Sequence, residues 1–434
     1  LLIRRATLLN GAVVDIRVAD RITAVEQTLA PLAGEHVYDA AGRTVIPGLH
    51  DHHVHLRSAA AALKSARVGP AEVRNRGELA CALAAAPVDT DGWIRAVGYH
   101  EAAAGRLDRW ILDEMSPSSP VRVQHRSGVL WTLNSAGLAR IGMADHPDGR
   151  LRSADRSWSD SLQRSDTGLT DVSGRLSASG VTGVTDATPD LGADDVENLL
   201  QSHRTGELRQ RVHCLAPGKR ILHDTDLDLD GLAAWIADRH ADNIPVALHC
   251  VTAAQLVVTL SALRAVGTHP NDRIEHASVV PDESIAPLAE SGVTVVTQPN
   301  FVAERGEQYL EDIPADEHHE LWRVASLIRA GVPVALSTDM PFGVGDPWAT
   351  MRAAVRRVTG NGEMLGADER IRAPEALNMF FGTGADPLRR RIIAPGQPGD
   401  LAVLTPRPDE VLETLASDMV AATVISGELV FVRG

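Results

Sequence analysis

From Val181 onward the sequence repeats one unit: a short β-branched or apolar run ends in a polar residue, and a helical stretch follows. The runs are Val181–Asp186, Val212–Lys219, Pro245–His249, Arg273–His276, Val293–Gln298 and Pro333–Asp339. Strands buried on both faces of a parallel sheet read as such unbroken runs. Asp230–Ala241 and Glu320–Ala330 are examples of the helical stretches between them. Alternating strand and helix predicts an α/β fold with a parallel sheet.

Spacing separates a barrel from an open sheet. Lys219 to His249 is 30 residues and His249 to His276 is 27, each about one strand-plus-helix unit. His276 to Asp339 is 63 residues, or two units, with Gln298 closing the strand between. If Asp339 ends strand eight, then His276 ends strand six and Lys219 strand four. Polar residues at successive strand ends are where a (β/α)8 barrel carries its chemistry. A doubly wound sheet would gather them at one switch point instead.

Strand one is Arg43–His55, and 164 residues separate His55 from Lys219. Three barrel units need about 90 residues, so an insertion is expected within about 57–180, with Val121–Gln124 as the best placement for strand two. Within it, the Ser-, Asp- and Arg-rich stretch Arg152–Gly180 reads as a polar loop or lid. Both chain ends read as short strands: residues 1–44, with turns at Asn10-Gly11 and Ala19-Asp20, and residues 395–434, with runs at Leu401–Leu404, Val420–Ile425 and Leu429–Val432. The simplest arrangement is one small β domain built from both termini beside a barrel spanning 45–394.

Charge excludes several functions. A net charge of −15 opposes binding to a phosphate backbone, and 3% aromatic residues supply no base-stacking surface. No apolar run reaches the ~18 residues that span a bilayer. Cys81, Cys214 and Cys250 form no paired framework, as suits a reducing cytoplasm. Lys64 and Lys219 are the only lysines among 42 basic residues. Lys64 falls in the helix after strand one and reads as solvated.

His53-Val54-His55 is the strongest local chemical signal. At a strand's period of two, both imidazoles point to the same side and can converge on one ion. His249, His276 and Asp339 end three further strands on the same rim. Imidazole and carboxylate ligands suit Zn2+, with Fe2+, Mn2+ or Co2+ as alternatives. Cys250 alternates away from His249 and reads as buried and structural. His50 and His52 are out of phase with the pair, and His318-His319 lie on a charged, solvated helix face. His125 and His223 lie near the inferred rim as substrate or supporting contacts, and Arg126, Trp131, Gln298, Asn300, Phe301, Tyr309, Met340 and Phe342 are the other pocket candidates.

The stretch Pro47-Gly48-Leu49-His50-Asp51-His52-His53-Val54-His55 resembles the strand-one motif of the amidohydrolase superfamily. The resemblance continues through Gly180–Asp186, His249, Ile274–Ala277, Ser337–Asp339 and Gly396–Val403. His125–Leu138 and the Asp148–Leu151 turn further resemble the YtcJ-like, or amidohydrolase 3, branch, which includes N-substituted formamide deformylases.

This resemblance implies a distorted (β/α)8 barrel plus a β-sandwich, and hydrolysis of a small molecule's amide or other C–N bond by metal-activated hydroxide. It implies a first metal on His53, His55 and Asp339 and a second on His249 and His276, with Lys219 carboxylated as the bridge between them. Asp339 would move the proton from water to the leaving amine. Only lysine suits the bridge, because a neutral amine can add CO2 and a guanidinium cannot. A deaminase on the same scaffold usually has a Glu shortly after the strand-five His; here Cys250–Gln255 follows, with none. An ester or lactone hydrolase would use the same chemistry, while a non-catalytic scaffold protein would generally have lost ligands. A homo-oligomer is compatible with the sequence.

Overall fold

A computed structural model describes residues 1–153, 158 and 167–434. They divide into two units, Leu1–Leu56 with Leu169–Gly434, and Arg57–Gly168.

Eight parallel strands organise the larger unit: β1 (Leu49–Val54), β2 (Val181–Asp186), β3 (Arg211–Cys214), β4 (Lys219–Ile221), β5 (Ala247–Cys250), β6 (Arg273–His276), β7 (Thr294–Thr297) and β8 (Val334–Leu336). β1, β2 and β3 form one ladder with β2 central, and β4 to β8 form a second in chain order. A parallel bridge between Val54 and Met340 links the end of β1 to the residues after β8. β1, β2, β6, β7 and β8 are buried along their whole length, and β7 and β8 accordingly read as unbroken β-branched or apolar runs. Helices return between strands and are capped locally: Asp228 accepts from Gly231 N at 3.0 Å to start Leu229–Ala241, and Thr252 accepts from Gln255 N at 3.3 Å to start Ala253–Val266.

Four expectations are corrected. Strand two is Val181–Asp186, which pairs directly with β1, whereas Val121–His125 belongs to the sheet of the smaller unit. The run Val212–Lys219 divides into β3 and β4 around Pro217, which has no N–H to donate to a ladder. Lys219 therefore opens its strand rather than ending it. Glu320–Ala330 is not one helix: a 3-10 turn Ala315–Glu320 is followed by the irregular residues Leu321–Val324 and a short helix, Ala325–Arg329. Tertiary pairing overrides local propensity there, since Trp322 N donates to Ser278 O at 2.8 Å and Val280 N to Glu320 O at 2.9 Å. Of the stretch read as a loop or lid, Thr170–Ala178 is a helix, and residues 154–157 and 159–166 lie outside the described residues.

Both chain ends enter one eight-stranded sheet in the order Glu428–Val432, Val420–Ile425, Leu401–Leu404, Thr44–Pro47, Leu2–Thr7, Val13–Val18 and Ile22–Glu26, with Val37–Asp39 also on Leu2–Thr7. The register runs from Leu401 opposite Pro47 to Leu404 opposite Thr44. Ile3, Ile16, Val45, Val403 and Val424 fill its core.

The smaller unit has its own five-stranded sheet, with cores around Leu79, Ile94 and Val121 and around Trp93, Trp131 and Leu138. Among the described residues no helix is long and apolar enough to cross a membrane.

Candidate metal centre

β1 delivers His53 and the loop after β8 delivers Asp339, whose backbone N donates to His53 O at 3.0 Å. Asp51, one alternation below His53, accepts from Thr338 N at 3.0 Å and from Thr338 Oγ1 at 2.6 Å, so a buried carboxylate fixes the turn that carries Asp339. Burial pushes the Asp51 carboxyl up to about 7 against these hydrogen bonds. Asp339 Oδ1 lies 3.5 Å from His53 Nε2 and 3.3 Å from His55 Nε2. One donor atom from each of these three residues falls within 4.8 Å of the others.

His276 and His249 extend the cluster. The His53 and His276 rings are 4.8 Å apart and those of His276 and His249 4.5 Å. His276 and Asp339 both have left-handed backbone, with φ of 72° and 56°. Such strain in non-glycine residues persists where the surroundings enforce it and gathers at functional sites. Burial holds His53 and His276 well below the usual imidazole range and His249 at about 3, so all three are neutral, as metal ligands must be.

Lys219 faces the same side of the sheet as His249, because it pairs with Ala247, two residues before it. Its amine is buried without a hydrogen-bond partner, and burial lowers it to about 8. His53 Nε2 and Asp339 Oδ1 are likewise buried and unpartnered. Unsatisfied buried polar atoms are costly, and His53 Nε2 and Asp339 Oδ1, 3.5 Å apart in one cluster of imidazoles and a carboxylate, fit a divalent cation. Cys250 points away, its Sγ 3.2 Å from Thr259 Oγ1.

Glu275 is absent from the ligand set that sequence reasoning assembled. Its carboxylate accepts a hydrogen bond from His53 Nδ1 and is gripped by Arg273 through Nε and, at 3.1 Å, through Nη2. Burial works most strongly against its charge, but Arg273 and Lys219 together outweigh this and hold its pKa below the usual carboxylate range. The one available signal was a glutamate directly before His276 and two residues after Arg273 in a fully buried strand.

The remaining candidates have diverse surroundings. Phe342 packs edge-on to His55 at 5.1 Å, and Met340 O accepts from His55 N at 2.8 Å. Gln298 is fully buried and accepts from His276 Nδ1 at 2.7 Å. Asn300 spans Glu304 and Thr338 O, while Phe301 and Tyr309 pack around Trp322. In the smaller unit, His125 Nε2 lies 3.1 Å from Glu101, Arg126 N donates to Tyr99 O at 2.7 Å, and Trp131 is in the core. His100, Glu101 and His125 form a second group with metal-capable spacing.

A parallel strand set with histidines and an aspartate at its strand ends defines a class, and the sequence profile of the amidohydrolase family matches residues 36–431. The chain belongs to that family. It is similar to N-substituted formamide deformylase of Arthrobacter pascens, at 25% identity over 87% of this chain and 84% of that one. A shorter match, 26% identical, joins 47% of this chain to 40% of the putative amidohydrolase YtcJ of Bacillus subtilis (strain 168). Among solved structures, an uncharacterized metal-dependent hydrolase from Pyrococcus horikoshii OT3 shares the fold with a TM-score of 0.74, at 18% identity over 95% of this chain and 98% of that one.

Proposed function

We propose that the protein is a metal-dependent hydrolase that cleaves an amide or other C–N bond of a small molecule. The observation that carries this reading is the buried cluster of His53, His55 and Asp339, with unpartnered atoms aimed at one another beside His249, His276 and Lys219. Family membership and the similarity to a formamide deformylase support the C–N bond as target.

In this reading β1 to β8 are the wall of a distorted (β/α)8 barrel within 45–394, and residues 1–44 with 395–434 form a terminal β-sandwich. The chain order of the two parallel ladders and the Val54–Met340 bridge support the barrel. Zn2+ is the expected ion, and the enzyme is assigned to the cytoplasm.

His53, His55 and Asp339 would hold one ion and His249 and His276 a second, with Lys219 bridging them as a carbamate. A bound divalent ion supplies Lewis acidity, lowering the pKa of water and polarising the scissile carbonyl. Asp339, whose Oδ1 faces the two imidazoles, takes the proton from the attacking water and delivers it to the leaving nitrogen. Phe342 supplies an apolar wall beside His55 and limits water there. Met340, whose carbonyl accepts from His55 N, is proposed to contact substrate. Gln298, through His276, and Asn300, through Thr338 O, support the site from behind.

The test is metal analysis followed by a screen of formamides, N-acyl amino acids and cyclic amides with zinc-loaded protein. Hydrolysis that disappears with chelator and returns with zinc is expected. Protein that binds no divalent ion refutes the proposal.

A further inference from the structure

The two candidate metal subsites are backed by different chemistry. Behind His53 stands Glu275, a carboxylate that can only accept a hydrogen bond, so His53 Nδ1 carries the hydrogen and Nε2 presents its lone pair towards Asp339. Arg273 grips both oxygens of Glu275 and also donates to His52 O, which locks the carboxylate against the backbone of β1. Behind His276 stands Gln298. Its amide nitrogen donates to Ser337 Oγ at 2.8 Å and Val296 O at 3.3 Å, so its oxygen must face His276 Nδ1 as acceptor. Both histidines are therefore fixed in the same tautomer, one by an anion and one by a neutral amide. A carboxylate raises the basicity of the imidazole it backs, whereas an amide does so far less.

We propose that Glu275 is a positioning residue that fixes His53 for metal binding and, with neutral Gln298 behind His276, makes the His53–His55–Asp339 subsite the tighter of two unequal subsites. The inference rests on the metal-dependent hydrolase reading.

Zinc and cobalt titrations against a competing chelator, on wild-type protein and Glu275→Gln, test it. Wild type should bind two equivalents of unequal affinity. The variant should lose 10- to 100-fold at the tighter one and keep the weaker one, with an altered visible spectrum for the first cobalt bound. A general structural defect would weaken both together. Long-range 1H–15N spectra of the metal-free wild type, with His53 assigned by difference from His53→Asn, need no folded Glu275 variant; they should show the Nδ1–H tautomer. An Nε2–H tautomer at His53, or a Glu275→Gln variant within twofold of wild type at both equivalents, overturns the role of Glu275 and leaves the hydrolase reading intact. Wild-type protein that binds no divalent ion overturns both.

Discussion

Lys219→Met should make the metal-free protein more stable while removing the residue that would bridge two ions. Lys219 Nζ is buried with no hydrogen-bond partner, and burial lowers the amine from 10.5 to about 8. At 1.36 kcal/mol per pH unit, keeping that amine charged in the folded state costs about 3 kcal/mol. Methionine has similar length and no charge, so it removes the cost and adds apolar contact. The sign fixes a pH signature. A base whose folded pKa lies below its unfolded value destabilises fully under the folded pKa, and the penalty fades as pH rises from about 8 past 10.5. Urea unfolding of chelator-treated wild type and variant should therefore differ by about 3 kcal/mol at pH 7 and by only a small part of that at pH 10.5. A variant no more stable than wild type at pH 7, or a gap that widens with pH, would refute the reasoning.

Other outcomes follow from single contacts. Asp339→Asn should lower kcat by about 10²-fold or more, measured on whichever substrate the screen identifies; near-normal turnover rules out a proton-transfer role for Asp339. The buried Arg391 guanidinium donates to Phe381 O, Gly382 O, Thr182 Oγ1 and Gly48 O. Arg391→Met strands these acceptors and should cost about 3–5 kcal/mol, read as a lower urea midpoint. Glu35, held to about 2 by the Arg17 guanidinium and the Leu32 N–H, contributes stability above pH 4.5 that is lost as pH falls through about 2. The melting-temperature deficit of Glu35→Gln should thus be full at pH 7 and reduced to a small part near pH 2; a deficit independent of pH would contradict it.

Much of the scaffold was legible because burial on both faces leaves an apolar run in the sequence. β7 and β8 were found this way, the terminal strands were legible from short runs between turns, and Leu229–Ala241 fell within one residue of the expected helix. The turn from Cys250 towards Thr259 also followed from simple alternation. Alternation failed at His276. Its left-handed backbone lets it join the cluster although Glu275, next in sequence, reaches the same cluster through His53. Such a φ has no signature in residue types when a histidine adopts it. Strand two was misplaced because Val121–His125 is as strand-like as Val181–Asp186; only pairing with β1 separates them. Asp51 and Glu275 were passed over because a carboxylate that positions a ligand is recognisable only from what it touches.

The sheet that joins the two chain ends has a kinetic consequence. Thr44–Pro47 finds its antiparallel neighbour only in Leu401–Leu404, some 350 residues later. During synthesis the first strands emerge long before that partner exists, and they present an open ladder edge throughout. The chain cannot seal this sheet until Leu401–Leu404 has been synthesised, so its closure is a non-local folding event. A chain stalled before Leu401 would carry a nearly finished set of parallel strands together with an unpaired, aggregation-prone edge.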